Sequence, residues 1–200
     1  MYTIQTVRQL TADILLMDVY APRVAANCLP GQFLIVRLGD KGERIPLTIC
    51  DYDRNAQTVT IVFQVVGAST AKMAKLKAGD AFDTVMGPLG NPSDLTHETT
   101  EALQKKHIVF VAGGVGTAPV YPQIKYLHER GISCDCIIGA REKSLLILTD
   151  EIRAMAEHAV ARYPAHPKTV HPYFAGPIPR ASPAFRPRYA EHIGSWLLRI

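Results

Sequence analysis

His107-Ile108-Val109-Phe110-Val111-Ala112-Gly113-Gly114-Val115-Gly116-Thr117-Ala118-Pro119-Val120-Tyr121-Pro122-Gln123-Ile124-Lys125 decides how this chain folds. Residues 108–111 form an apolar run that is too short for a helix and rich in β-branched side chains, so they read as a buried parallel strand. Gly113, Gly114 and Gly116 then keep side chains out of a sharp turn. Thr117 can cap a helix, and Pro119 suits its first turn. Strand, glycine turn and helix start together form a cradle in which backbone N–H groups and the positive end of a helix dipole meet an anion. The same string also fits a βα turn that binds nothing. The strict dinucleotide fingerprint is not met, because Pro119 stands where its third glycine belongs.

Downstream, a strand is expected at 132–138 and a helix at 149–158, after a helix at 118–129. Strands alternating with helices mean a parallel sheet. Upstream the pattern is different. Residues 3–20 read as two strands joined near 11–13, with a short helical piece beginning at Pro22 and a turn at Pro30-Gly31. Strands follow at 32–38, 44–49 and 58–66. Pro46 requires an edge or a bulge in the second of these. Ser69 or Thr70 is placed to cap a short helix over 69–77, and residues 81–86 form a last strand. Gly87-Pro88-Leu89-Gly90-Asn91-Pro92 breaks regular structure, and residues 93–106 read as a linker. The expected architecture is an antiparallel β-barrel over residues 1–95, then a Rossmann-like α/β domain over 104–158.

The 200 residues carry a formal net charge of +4, unevenly placed. Residues 1–158 hold 16 Lys and Arg against 17 Asp and Glu, whereas residues 159–200 hold six against one. The neutral body gives no reason to expect a nucleic-acid partner. No apolar stretch is long enough to span a bilayer, and the first residues lack a secretory signal, so a cytoplasmic protein is expected. Cys134 and Cys136 alternate along one predicted strand and, with Cys28 and Cys50, read as reduced core thiols.

Four stretches in this order resemble the ferredoxin–NADP reductase superfamily. They are Pro30-Gly31-Gln32-Phe33, then Arg44-Ile45-Pro46-Leu47-Thr48-Ile49, then Val65-Val66-Gly67-Ala68-Ser69-Thr70, and finally Gly87-Pro88-Leu89-Gly90 with the glycine turn at 113–119. Within that superfamily the chain looks most like the electron-transfer subunits of sulfide dehydrogenase, of NADH-dependent ferredoxin:NADP oxidoreductase (alpha subunit) and of dihydroorotate dehydrogenase. The resemblance covers about residues 1–155 and implies an FAD-binding barrel beside an NAD(P)-binding domain. It implies Arg44 on the FAD diphosphate, where a guanidinium gives a two-pronged contact. It implies a second anion cradle at Gly67 through Thr70, with Val66, Gly67, Ser69 and Thr70 among the cofactor-binding residues. Pro46 and Leu47 wall the flavin, and Thr48 is the catalytic candidate near its reactive nitrogen. Gly113, Gly114, Val115, Gly116, Thr117 and Pro119 would hold the nicotinamide nucleotide, and Arg141 would meet its adenosine end. Hydride transfer between NAD(P)H and flavin needs no general base, which suits a chain without a triad or paired carboxylates. NAD against NADP stays open. An iron–sulfur or flavoprotein partner subunit is implied as electron acceptor. The implied alternatives are an FAD-binding module with little NAD(P)H turnover and a dihydroorotate dehydrogenase electron-transfer subunit.

The chain departs from the family pattern after His158. No cysteine follows Cys136, so no [2Fe–2S] cluster is expected, since such a centre needs about four thiolates. Seven of the 14 prolines fall in residues 159–200, which therefore read as an irregular Pro/Arg-rich tail. The second domain is accordingly expected to be truncated, and a shifted reading frame near 158 would account for the change. His158, His166, His171 and His192 match no metal-ligand spacing, so no metal is expected.

Overall fold

A computed structural model describes residues 1–163, which form one compact unit. The tail expectations beyond Tyr163 lie outside the described residues.

Ten strands and five helices follow one another. β1 (Tyr2–Gln9), β2 (Ile14–Tyr20), α1 (Pro22–Asn27), β3 (Phe33–Arg37), β4 (Arg44–Asp53) and β5 (Thr58–Gln64) come first. They are followed by α2 (Ala68–Met73), β6 (Ala81–Phe82) and β7 (Thr84–Leu89). The first seven strands make one antiparallel sheet in the order β6-β1-β2-β5-β4-β3-β7. Its two edge strands are consecutive in the chain with only Asp83 between them, so the sheet nearly closes into a barrel. Closure leaves little edge exposed.

The expected last strand at 81–86 is thus two strands. β7 also runs through Gly87-Pro88, where the sequence suggested a break, and it carries a cis Gly87–Pro88 bond. A proline is tolerated in β7 because that strand pairs only with β3. Pro46 obeys the same rule. β4 pairs with β3 along residues 44–48 and with β5 only from Ile49 onward, so Pro46 sits where one side of the strand has no partner. An irregularity between Ile49 and Asp51 marks the change of partner.

The barrel interior is filled by Leu15, Met17, Val19, Leu34, Ile49, Ile61, Phe63, Met73 and Phe82, all buried. β2 is buried on both faces. Leu15 and Met17 point into the barrel, while Ile14 and Leu16 join Cys50 and Val62 in a second core outside it. That second core is the base of the α/β layer.

The α/β layer comprises α3 (Thr100–Gln104), β8 (Val109–Gly113), α4 (Thr117–His128), β9 (Asp135–Gly139), α5 (Thr149–Arg153) and β10 (His158–Arg162). Its strands are parallel in the order β10-β9-β8. The expected helix at 149–158 is only the five residues of α5. Residues 158–162 return as a strand beside β9, four residues into the stretch expected to be irregular. Period-based reading missed this because Ala159, Val160 and Ala161 are too few to show alternation.

Residues 93–106 are not a passive linker. Leu103 is completely buried in the second core, and the Ser93 hydroxyl donates to Gln123 Oε1 at 2.8 Å. Strand β8 is likewise less buried than its composition implies. Ala112 and Phe110 face the helices, but Val109 and Val111 are 40% and 53% exposed, because among the described residues only one face of the small sheet is covered. All four cysteines are free and buried, as expected.

Candidate functional site

The first half of β4 builds one side of the site. Strand alternation puts Ile45 and Leu47 against the barrel core and leaves Arg44, Pro46 and Thr48 on the outward side. The Leu47 side chain therefore lies opposite Arg44, and only the backbone at Leu47 is open to a ligand. Arg44 is exposed, and among the described residues its guanidinium has no hydrogen bond or ion pair. The adjacent carboxylate, Glu43, accepts the Ser69 hydroxyl.

The Glu43–Ser69 contact joins the entry of β4 to the start of α2. The helix is capped by Gly67, not by Ser69 or Thr70. Thr70, three residues in, reaches back, and its Oγ1 accepts from Val66 N at 3.0 Å and Gly67 N at 3.1 Å. This consumes two of the donors that an anion could have used. The N–H groups of Ala68 and Ser69 remain, having no intrahelical acceptor in a first turn. Val66 flanks them with an apolar side chain that is 78% exposed.

The second cluster is the glycine turn. β8 ends at Gly113, which pairs with Gly139 at the end of β9. Residues Gly114–Gly116 make a 3-10 turn, and α4 begins at Thr117 with Gly116 as its cap. Gly114 has φ +52°, a left-handed value, and a Cβ on Gly114 or Gly116 would meet nothing within 4 Å. The outer surface of the turn is therefore bare backbone with open space over it. Val115 packs its side chain on the second core. Pro119 is half-buried in the first turn of α4. Thr117 does not cap; it is fully buried, and its hydroxyl has no partner among the described residues. Arg141 follows the end of β9 two residues after Gly139 and is exposed. The turn and Arg141 thus sit at the carboxyl ends of adjacent parallel strands, the place where open α/β sheets take ligands.

Asp51 and Lys125 are the residues that sequence reading missed. They are 74 positions apart, and no local pattern relates them. Burial lowers the Lys125 pKa, but the hydrogen bond and charge of Asp51 outweigh this and hold it above the ordinary lysine value. The Tyr52 ring lies 5.9 Å from the same ammonium. Two shallow grooves of about 450 and 510 Å³ flank this seam and contain none of the candidate residues. Within them Arg8 pairs with Glu151 at 3.0 Å, and Asp18 accepts from Thr6 and Thr60. Among the described residues no cluster of three or more His, Cys, Asp or Glu is arranged to hold a metal ion, and no helix is long and apolar enough to cross a membrane.

No protein-family model matches the chain. It is 53% identical over 156 residues to a Clostridium beijerinckii protein named only as an uncharacterized protein in the adh 3' region, a match covering 78% of this chain and 53% of that protein. It is 36% identical over 149 residues to the Thermotoga maritima dihydroorotate dehydrogenase B (NAD(+)) electron transfer subunit homolog, covering 74% of this chain and 50% of that one. Among solved structures, NADH-dependent reduced ferredoxin-NADP oxidoreductase superposes with a TM-score of 0.72 at 35% identity, covering 80% of this chain and 56% of that chain. The chain therefore spans about half the length of the relatives it matches.

Proposed function

Because the described residues carry the two-domain ferredoxin–NADP reductase fold and are homologous to a dihydroorotate dehydrogenase B electron transfer subunit homolog, we propose that this chain binds FAD and passes electrons between NAD(P)H and a partner protein. The observation that carries this is Arg44. Its guanidinium is exposed and has no partner among the described residues, and the adjacent Glu43 is tied by Ser69 to the α2 start, where Ala68 and Ser69 offer free N–H groups. A diphosphate is the anion that uses a bidentate cation and backbone donors together. The residues present fit FAD on that ground.

In this reading Arg44 and the N–H groups of Ala68 and Ser69 hold the diphosphate, with Gly67 and Thr70 shaping the turn that presents them. Pro46, Val66 and the Leu47 backbone line the flavin, and Thr48 places its hydroxyl at the reacting end. Gly113, Gly114, Val115, Gly116, Thr117 and Pro119 seat the nicotinamide nucleotide through their backbone, with Arg141 toward its adenosine end. Bound FAD supplies the redox chemistry, taking a hydride and releasing electrons singly, while the protein orients the two rings and keeps the diphosphates neutralised. The acceptor is an iron–sulfur or flavoprotein subunit, and the setting is cytoplasmic.

The Thermotoga relative favours a second reading, an electron-transfer subunit serving dihydroorotate dehydrogenase. The exposed Val109–Val111 face favours a third, a flavin module with slow nicotinamide turnover. An absorbance spectrum of the purified chain, taken with added FAD before and after anaerobic NADH and NADPH, separates these. A flavin band that bleaches establishes the oxidoreductase and its nucleotide. A band that persists leaves the flavin module. No flavin binding overturns the proposal.

A further inference from the structure

We propose that the Asp51–Lys125 ion pair is the positioning device that sets the glycine turn against the flavin-facing half of β4. This rests on the function proposed above. Each residue belongs to a regular element that also carries one half of the site. Asp51 lies three residues beyond Thr48 on β4, about 10 Å along the strand. Lys125 lies eight residues beyond Thr117 on α4, about 12 Å along the helix. The pair is thus the point where two rigid arms meet, one ending at Thr48 and the other at the glycine turn.

The pair is built to hold its geometry. Nζ and Oδ1 are 2.6 Å apart, and the two side chains are only 30% and 24% exposed. Asp51 sits at the irregularity where β4 takes up β5, and it pairs there with Thr60. Tyr52 stacks beneath the ammonium, and Cys50 and Tyr121 pack in the same seam. Glu129, at the C-cap of α4, lines the same groove, but Lys125 is the residue that pairs with Asp51; Arg130, beyond the helix, lies on the Tyr126 ring and carbonyl. Neither Asp51 nor Lys125 makes a side-chain hydrogen bond or ion pair to the residues proposed to hold FAD or nucleotide, so their effect is on placement.

The test uses the full chain as Lys125→Met and as the reversed pair, Asp51→Lys with Lys125→Asp. Three quantities are read: FAD affinity, the single-turnover rate of flavin bleaching at saturating NADH or NADPH, and amide hydrogen exchange of residues 117–128. In Lys125→Met, FAD affinity stays within about twofold and the bleaching rate falls about tenfold, since small misplacements at a reacting centre are costly. The nucleotide concentration giving half the maximal rate moves less than about threefold, and exchange in α4 rises at least about fivefold. The reversed pair recovers more than half of each loss. An unchanged rate, unchanged exchange, or a reversed pair no better than the single variant overturns the proposal. A wild-type chain that binds FAD but bleaches with neither nucleotide overturns the nicotinamide reading instead. The exchange data then decide the clamp by themselves.

Discussion

Ser69 donates its hydroxyl to the Glu43 carboxylate, and this one contact ties the first turn of α2 to the entry of β4, one residue before Arg44. It places a negative charge at the edge of a site read here as an anion cradle. Glu43→Gln keeps a hydrogen-bonding partner for Ser69 and removes that charge. FAD should then bind roughly three- to tenfold more tightly at low ionic strength, an effect that salt erases. Fluorescence titration of the apoprotein at two salt concentrations checks it.

Arg44→Ala tests the other side of the same cradle. A bidentate charge-assisted contact contributes about 1.5–3 kcal/mol, so FAD affinity should fall roughly 10- to 150-fold. The fold should survive, because Arg44 makes no contact that the barrel needs. The measurement is the flavin-to-protein absorbance ratio after gel filtration, together with the thermal midpoint. Full flavin retention would remove Arg44 from the site.

Thr117→Val should raise the thermal midpoint. The side chain is fully buried and its hydroxyl has no partner, so deleting that group removes an uncompensated desolvation cost of about 1 kcal/mol or more. Nucleotide affinity should not change, because the burial of Thr117 leaves only its backbone for a ligand. Weaker NAD(P)H binding with an unchanged midpoint would mean that the hydroxyl itself is used.

Gly31→Ala should destabilise the chain by about 2 kcal/mol or more. Gly31 has φ +92°, and a Cβ there would stand 2.7 Å from the backbone nitrogen of Ser93. Ser93 also anchors α4 through Gln123, so the strain reaches the second layer. The midpoint of urea unfolding measures the loss.

The buried thiols give a pH dependence. Burial pushes Cys28, Cys134 and Cys136 up from 9.0 to about 11 and pushes Cys50 up further. The folded chain therefore keeps its thiol protons at pH values where the unfolded chain has released them. Stability from this source is complete below pH 9 and is lost as the pH rises from 9 toward 11. The urea midpoint should fall over that window. At pH 8 a thiol reagent should label the native chain very slowly and all four cysteines after unfolding.

The residues legible in advance were those whose role is local. The strand, glycine turn and helix at 109–128 need only a few adjacent side chains and glycines to be specified, and they formed within a residue or two of expectation. Pro46 signalled an edge, and β4 supplied one by pairing on a single side there. The misses share another cause. Residues 93–106 look polar in isolation, yet Leu103 is buried because α3 folds back onto a core made from distant segments. The break expected at Gly87-Pro88 did not occur, because β7 takes its hydrogen bonds from β3, more than fifty residues earlier.

Sequence alone determined the antiparallel barrel strands, the parallel α/β pattern after them and the motif order, and it supplied the residues proposed to meet phosphate, since short-range backbone preference and side-chain chemistry govern these. Tertiary structure decided which of those residues are free to do so. Among the described residues Arg44 has no partner while the adjacent Glu43 carboxylate accepts from Ser69, and Leu47 is turned inward because its strand is half of a barrel wall. Pairing between charges 74 residues apart, and the face a strand presents, depend on where the chain closes on itself. No local pattern encodes that closure.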